Sequence, residues 1–289
     1  MIEILTEMLS YTFFVRAVVV GLLVSLCAAL LGVSLVLKRY SMIGYGLSNM
    51  GFGTLAVATA MNVAPLTVSI PVVVLSAFFL LRISENSKIK GDAAIALIST
   101  SSLAIGVVVI SITTGMNTDV CGYMFGSILS MNKNDVTLSI ILAVVVLSLF
   151  ILFYNKIFAV TFDENFAKAT GVKTGLYNMM IASLTAITIV LGMRMMGALL
   201  ISSLIIFPAL TSMRICKRFK TVTVCSAVVS IICFLIGVFI SYVYATPTGA
   251  SIVIVNIAAF SLFWAVYYFL TSSIYRKLQY LFLNRRQTS

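Results

Sequence analysis

One short polar segment, residues 162–172, holds the side chains best suited to chemistry with another molecule. It reads Phe-Asp-Glu-Asn-Phe-Ala-Lys-Ala-Thr-Gly-Val. Asp163 and Glu164 fit the first turn of a short amphipathic helix, where the helix dipole stabilises negative charge. Gly171 fits the end of that helix, because glycine readily adopts the left-handed conformation that closes a helix.

Phe166 gives this predicted helix one of two uses. Phe166 and Ala169 lie three residues apart and therefore share one face of the helix. An aromatic side chain on a short exposed helix can fill a groove on a partner protein. The same face can equally lie on lipid head groups, and the residue pattern alone leaves both interpretations open.

Side chains that could bind a metal are few. The chain has no histidine. Asp119 and Cys121, two residues apart, are the candidate pair, although two ligands are a weak indication of a site. The methionines Met193, Met195 and Met196 could attract a soft metal, but we expect them to serve mainly in packing. The five cysteines include no Cys-x-x-Cys pair, which argues against a zinc knuckle or a disulfide framework.

Composition identifies the elements that must position these residues. Hydrophobic residues make up 61% of the chain and charged residues 9%, against about 25% charge in an ordinary soluble domain. Such a chain requires lipid as its solvent, so we predict a single all-α, polytopic membrane domain over residues 1–289. The net charge of +11 suits anionic lipid head groups and a cytosolic partner. The chain shows no nucleic-acid recognition module, so nucleic acid is not an expected partner.

Nine apolar stretches are long enough to span a bilayer, which takes about 20 residues. The count falls to eight if the short segments around Met193–Met196 form one broken helix. The predicted spans are 17–37, 44–61, 65–82, 93–113, 136–154, 176–191, 197–213, 222–243 and 250–270. Close helix packing is predicted at the small residues Gly21, Ala28, Gly32, Gly46, Gly51 and Gly53, with local unwinding at the last two.

Basic residues predict the orientation of these spans. All but three of the 19 Lys and Arg residues fall in alternate gaps between them. This bias places those gaps in the cytoplasm, the N-terminus outside the cell membrane and the C-terminus inside. Arg16, Lys133 and Arg194 remain on the outer side. Residues 114–135 then form an outer interfacial segment, where Asp119 can pair with Arg194 as a gate.

Five groups of residues stand out in order along the chain. They are Leu31-Gly32 with Leu37-Lys38-Arg39-Tyr40-Ser41, Phe125-Gly126-Ser127-Ile128-Leu129, residues 162–172, the run from Gly197 to Ala209, and Thr246-Pro247-Thr248-Gly249-Ala250-Ser251-Ile252-Val253. Together they resemble the permease subunits of ABC importers for divalent metals such as zinc, manganese and iron. Residues 162–172 are similar to that family's Phe-Asp-x-x-Phe-Ala-x-x-x-Gly-Val element.

The resemblance implies a homodimeric permease with the substrate path on its two-fold axis. A cytosolic ATPase would bind each subunit at 162–172, and an extracytoplasmic solute-binding protein would dock on the opposite side. The implied coupling residues are Asp163, Glu164, Phe166, Ala167 and Gly171. The chain itself would bind no cofactor and catalyse no reaction, because it lacks a Gly-rich phosphate loop ending in Gly-Lys-Ser/Thr. The partner subunit would use the ATP.

The second predicted span departs from the family pattern. The family carries Gly-Asp-x-x-x-His there, with the Asp and the His on one helical face. This chain has Tyr45 and Asn49 at those positions, and Ser127 replaces the acidic residue of a Phe-Gly-Asp motif. Tyr45, Ser48 and Asn49 are the residues that the resemblance places along the path.

These departures leave the substrate open, because a bare divalent cation within the bilayer needs anionic or imidazole ligands. The ion can keep its hydration in a wide cavity. The substrate can instead be a metal chelate or a neutral organic solute, held by hydrogen bonds to Tyr45, Ser48 and Asn49. A third route takes its ligands from Asp119 and Cys121. The competing classes of protein are an ATP-independent carrier, which usually has a charged or polar relay within its spans, and a membrane scaffold.

Overall fold

Helices make up every regular element that the structure describes. The computed structural model describes residues 12–86, 91–113 and 133–287, with side chains over 14–83, 92–113, 136–193 and 196–269. The helices are α1 (Thr12–Leu37), α2 (Ser41–Ala60), α3 (Pro65–Asn86), α4 (Gly91–Thr113), α5 (Lys133–Leu152), α6 (Tyr154–Phe162), α7 (Glu164–Ala169), α8 (Thr174–Met196), α9 (Ala198–Ile215), α10 (Phe219–Tyr244) and α11 (Thr248–Gln287). The prediction of an all-α membrane protein is confirmed over these ranges.

The number of membrane-spanning helices is lower than predicted. Among the described residues, α1, α3, α4, α8, α9, α10 and α11 are long and apolar enough to cross a membrane. The helices α5 and α6 add one more span if they are counted together across their 69° bend, which makes eight. The prediction of nine is therefore wrong. The difference is the predicted span 44–61, which forms α2 and is not among the helices apolar enough to cross a membrane, because its glycines, together with Ser48 and Asn49, lower its hydropathy.

Helix α2 is enclosed by its neighbours. It packs against α3, α4, α8 and α9, and it runs parallel to α4, with Gly46 opposite Ile95 and Gly53 opposite Ser102. A Cβ atom on Gly53 would lie 2.6 Å from the backbone oxygen of Ser102, so only glycine allows this approach. The predicted close packing is confirmed. The predicted unwinding at Gly51 and Gly53 is wrong, since α2 is continuous from Ser41 to Ala60.

Helix α1 contacts α5, α8, α9 and α10 in the interior of the bundle. A Cβ atom on Gly32 would lie 2.0 Å from the backbone oxygen of Ile205 in α9. On another face, the Ser230 hydroxyl of α10 donates to the backbone oxygen of Ser25 at 3.1 Å. These contacts fix α1 by backbone approach on one side and by a buried hydrogen bond on the other.

Gly197 separates α8 from α9. Its φ of 85° and ψ of 159° lie in a region of backbone space that is essentially restricted to glycine. Both helices are long and apolar enough to span a membrane separately. The alternative of one broken helix around Met193–Met196 is therefore wrong.

Apart from Arg16 at the start of α1, the cations whose side chains the structure describes gather at one end of the bundle, which we call the basic end. The ends of α1, α3 and α9 meet the starts of α2, α8 and α10 there, with α6 and α7 between them. The opposite end holds the start of α1, where the Phe14 and Tyr242 rings lie 6.1 Å apart. Helix α11 runs toward the basic end, since Arg214 lies 5.7 Å from the ring of its Phe260. The cations of the basic end are Lys38, Arg39, Arg82, Lys156, Lys168, Lys173, Arg214, Lys217, Arg218 and Lys220.

Candidate functional site

Asp163 forms the N-cap of α7. Its backbone is extended, and its carboxylate accepts a hydrogen bond from the backbone N–H of Phe166 at 2.9 Å. This bond satisfies one of the N–H groups that a helix start leaves without a partner. The sequence predicted Asp163 within the first turn, and the structure places it one residue before Glu164, the first helical residue.

Gly171 ends α7, as predicted. Its φ of 81° is left-handed. The N–H of Gly171 donates to the carbonyl of Lys168, and the N–H of Val172 donates to the carbonyl of Ala167, both at 3.0 Å. These two bonds form a Schellman motif, which satisfies carbonyls that would otherwise lack partners. With both ends closed, the six-residue helix is a well-defined rigid element.

The faces of α7 differ in what they contact. Ala167 is fully buried against the bundle, whereas Phe166 is 65% exposed. Ala169 is also exposed, on the same side as Phe166. The predicted helix with an outward aromatic side chain is thus present at the basic end. Phe162, at the end of α6, is exposed as well.

Glu164 connects α7 to the bundle. Its carboxylate lies 3.4 Å from the ammonium of Lys38 and 3.0 Å from that of Lys168, and it accepts a hydrogen bond from the Asn178 amide at 3.4 Å. Lys38 also donates to the side-chain oxygen of Asn178. Burial raises the pKa of Glu164, but the hydrogen bonds from Lys168 and Asn178 and the charges of both lysines outweigh it, so the pKa lies below its ordinary value.

Sequence reasoning missed this cluster of Lys38, Glu164 and Asn178. It treated Lys38 only as a charge that sets orientation and Glu164 only as a residue of the coupling segment. Two signals were available: Lys38 lies in one of the motifs that carry the family resemblance, and Asn178 is a polar residue within the predicted span 176–191.

Tyr45 lies one turn before Ser48 and Asn49 on α2, and the three side chains differ in exposure. Tyr45 is 47% exposed, whereas Ser48 is 1% and Asn49 is 7% exposed. The Ser48 hydroxyl donates to the backbone oxygen of Tyr45 at 2.9 Å, and the Asn49 amide donates to the Ser99 hydroxyl of α4 at 2.6 Å. Within one chain, Tyr45 is open to a substrate, while Ser48 and Asn49 are turned toward neighbouring helices.

The remaining predicted residues fall outside what the structure describes. Asp119, Cys121 and Ser127 belong to 114–132, and the side chain of Arg194 is likewise not described. The predicted outer segment and its gate therefore stay predictions. Within the described ranges, no three His, Cys, Asp or Glu side chains form a group suited to a metal ion. Met193 is fully buried and Met196 nearly so, as packing residues are.

Comparison with known proteins identifies the family. The model of the ABC 3 transport family matches residues 10–267. This chain belongs to that family. It is therefore a membrane component of an ABC transporter, and the predicted family resemblance is confirmed.

Individual members resemble this ABC transport protein along most of their length. The manganese transport system membrane protein MntC of Halalkalibacterium halodurans is 26% identical over 256 residues, which cover 89% of this chain and 88% of MntC. The high-affinity zinc uptake system membrane protein ZnuB of Haemophilus influenzae is 28% identical over 246 residues, which cover 85% and 94% of the two chains. The solved structure of PsaBC from Streptococcus pneumoniae in complex with Fab superposes with a TM-score of 0.82. It has 26% identity over 91% of this chain and 95% of that chain.

Proposed function

We propose that this chain is the permease subunit of an ABC importer. It moves a divalent metal ion of the zinc, manganese and iron class, bare or complexed, into the cell by ATP-driven alternating access. The names of the relatives support the substrate class, and the family match supports the type of transporter. The permease itself is not an enzyme, and a separate cytosolic subunit hydrolyses the ATP.

The observation that carries this proposal is the form of α7. A short helix with hydrogen-bonded ends transmits force without unravelling, and its exposed Phe166 suits a groove on a partner protein. Closure of two ATPase subunits would push α7 and change the tilt of the helices packed on it. In this scheme Phe166 contacts the ATPase, Asp163 and Gly171 shape the helix, and Ala167 seats it on the bundle.

The distribution of charge supports the arrangement of partners. Lys and Arg accumulate on the cytoplasmic side of membrane proteins, so the basic end faces the cytosol and the ATPase binds there. The start of α1 is then outside the cell and the end of α11 inside. The solute-binding protein docks at the opposite end. Two copies of the chain bring the exposed Tyr45 of α2 to a shared central path.

A second candidate function is uptake of a metal chelate or another small neutral solute by the same machinery. It is favoured by the side chains of α2, since Tyr45, Ser48 and Asn49 offer hydrogen bonds and no charge. Such groups suit an uncharged or already complexed substrate better than a bare divalent ion.

Replacing Phe166 tests the coupling role. Phe166→Asp removes the aromatic side chain and adds a charge where a partner's groove must be apolar. We expect at least about a tenfold loss of ATP-driven uptake, typical of losing a central interface residue, together with loss of ATPase co-purification. Membrane insertion and the amount of protein should be unchanged, because the Phe166 side chain is mostly exposed.

Asn165→Asp is the matched control. It adds the same charge to an exposed position of the same helix and leaves Phe166 in place. This variant should retain ATPase binding and uptake. Normal uptake by Phe166→Asp would contradict the coupling assignment, and equal loss in both variants would show an effect of charge alone.

A further inference from the structure

Lys38 is a buried cation with partners on several elements. Its side chain is 8% exposed. The ammonium pairs with Glu164 of α7, donates to Asn178 of α8 and lies 5.9 Å from the centre of the Tyr40 ring. A lysine is rarely buried unless it is paired, and here the pairing joins segments that are distant in the chain.

Lys38 lies in the turn that joins α1 to α2. Lys38 directly follows α1, and Tyr40 directly precedes α2. The turn between the two helices is tight: Arg39 has a left-handed φ of 60°, and the N–H of Tyr40 donates to the backbone oxygen of Leu35 at 2.8 Å. A pull on Lys38 therefore acts directly on the start of α2, one turn before Tyr45.

Asn178 closes the cluster. Its amide group donates to Glu164 and its oxygen accepts from Lys38, so each of the three side chains contacts the other two. Lys168 lies outside this triangle. It pairs with the second oxygen of Glu164, and its own side chain is 59% exposed.

A cavity lies directly against the cluster. It is bordered by residues of α1, α2, α3 and α8 and has an almost entirely apolar lining, to which Lys38 and Asn178 contribute. This small cavity lies where the corner between α1 and α2 meets α8. The polar triangle gives α7 a hydrogen-bonded link to this corner, in addition to the packing of Ala167 against the bundle.

We propose that the Lys38–Glu164–Asn178 cluster is the joint that transmits movement of α7 to the start of α2. Lys38 is a positioning residue that acts on the path through Glu164 and the α1–α2 corner. This inference rests on the proposed function, because it assumes that α7 receives the movement of an ATPase. It also assigns Glu164 an inward role, whereas Phe166 remains the residue facing the partner.

The test uses the complete transporter, with its ATPase and solute-binding protein, in liposomes. Lys38→Met keeps most of the side-chain length and removes the charge. We expect ATPase assembly and basal ATP hydrolysis to persist, while metal ions imported per ATP hydrolysed fall about tenfold, in the range of measured coupling losses. Lys168→Met is the matched control, because it removes the exposed partner of the same Glu164 carboxylate. This variant should import as many metal ions per ATP hydrolysed as the wild type.

A distance measurement separates positioning from a loss of stability. Spin labels on the exposed residues Met42 and Ala169 report on the start of α2 and on α7. In the wild type, we expect ATP binding to move both sites relative to a third label on Tyr244 at the opposite end. In Lys38→Met, the label at 169 should still move, and the label at 42 should not.

The outcomes distinguish the joint from the proposed function. If the wild type fails to bind an ATPase or to import metal at the expense of ATP, the proposed function fails. If the wild type is coupled and Lys38→Met shows the same import per ATP and the same movement at 42, the joint is refuted and the function stands. If Lys38→Met does not assemble, Asn178→Ala decides. Asn178→Ala removes both hydrogen bonds of the Asn178 side chain but keeps the ion pair between Lys38 and Glu164. If this variant imports as many metal ions per ATP hydrolysed as the wild type, the proposed joint is also refuted.

Discussion

Glu164 has two neighbours of opposite charge, and they differ in exposure. The pair with Lys168 lies four residues along the same helix and faces solvent, where such pairs contribute about 0.3–0.5 kcal/mol. The pair with Lys38 joins residues 126 positions apart, with the lysine side chain almost fully buried. Loss of one partner of a buried pair leaves an uncompensated charge. Glu164→Gln should therefore destabilise the basic end more than Lys168→Met does.

The lowered pKa of Glu164 predicts how this contribution depends on pH. Because the folded pKa lies below the unfolded one, the stabilisation is complete above the ordinary glutamate pKa of about 4.3 and is lost as pH falls through the folded value. We expect the Tm difference between the wild type and Glu164→Gln, measured in detergent, to be constant near pH 7 and to shrink below about pH 4.3. Parallel melting curves down to pH 3 would contradict the ion-pair assignment.

Residue-level prediction worked where the determinants are local. The glycine end at Gly171 depends on neighbours within a few positions, so the sequence pattern was sufficient, whereas Asp163 was predicted in the first turn and forms the N-cap instead. The contacts of Lys38 depend on how α1, α7 and α8 pack, and no short-range pattern contains that information. The burial of Asn49 likewise depends on a distant residue, since its amide donates to the Ser99 hydroxyl in α4.

At the scale of the helices, glycines lie where two helices pack closely and do not cause local unwinding. Gly51 and Gly53 suggested unwinding, but the space they leave is filled by Met193 and Ser102. The same glycines, with Ser48 and Asn49, lower the hydropathy of α2, so the length of its uncharged stretch alone wrongly predicted a ninth span. Helix existence was predictable from apolar length. The role of each helix depends on which neighbours cover it, and that is a property of the packed bundle.

Gly32 and Gly175 make a matched pair for testing helix contact. Gly32→Ala places a methyl group 2.0 Å from the backbone oxygen of Ile205, whereas a Cβ atom on Gly175 meets nothing within 4 Å. We expect Gly32→Ala to destabilise the fold by about 1–3 kcal/mol, as overpacking does. Gly175→Ala should be neutral or stabilising by up to about 1 kcal/mol, because alanine favours the helix. Denaturation in detergent measures both, and equal stabilities would show that α1 and α9 can separate without loss.

At the scale of the whole molecule, the proposed function predicts which substrate the solute-binding protein delivers: a metal ion or an organic solute. If the proposed function holds, the solute-binding protein carries the true substrate to this permease. Elemental analysis of that protein, purified with and without chelator, should find about one zinc, manganese or iron atom per molecule, bound by the ligands that α2 lacks. An organic ligand without stoichiometric metal would instead favour the second candidate function.

The single residue between α8 and α9 has a consequence for how the ends of the bundle communicate. Because only one residue joins the two helices, the position of the end of α8 fixes that of the start of α9. If α8 tilts at Asn178, near the basic end, the opposite end of α8 moves as well and displaces the start of α9. Under the proposed function, this junction would carry a movement from the cytosolic end of the bundle to its opposite end without a continuous chain of polar groups between the two surfaces.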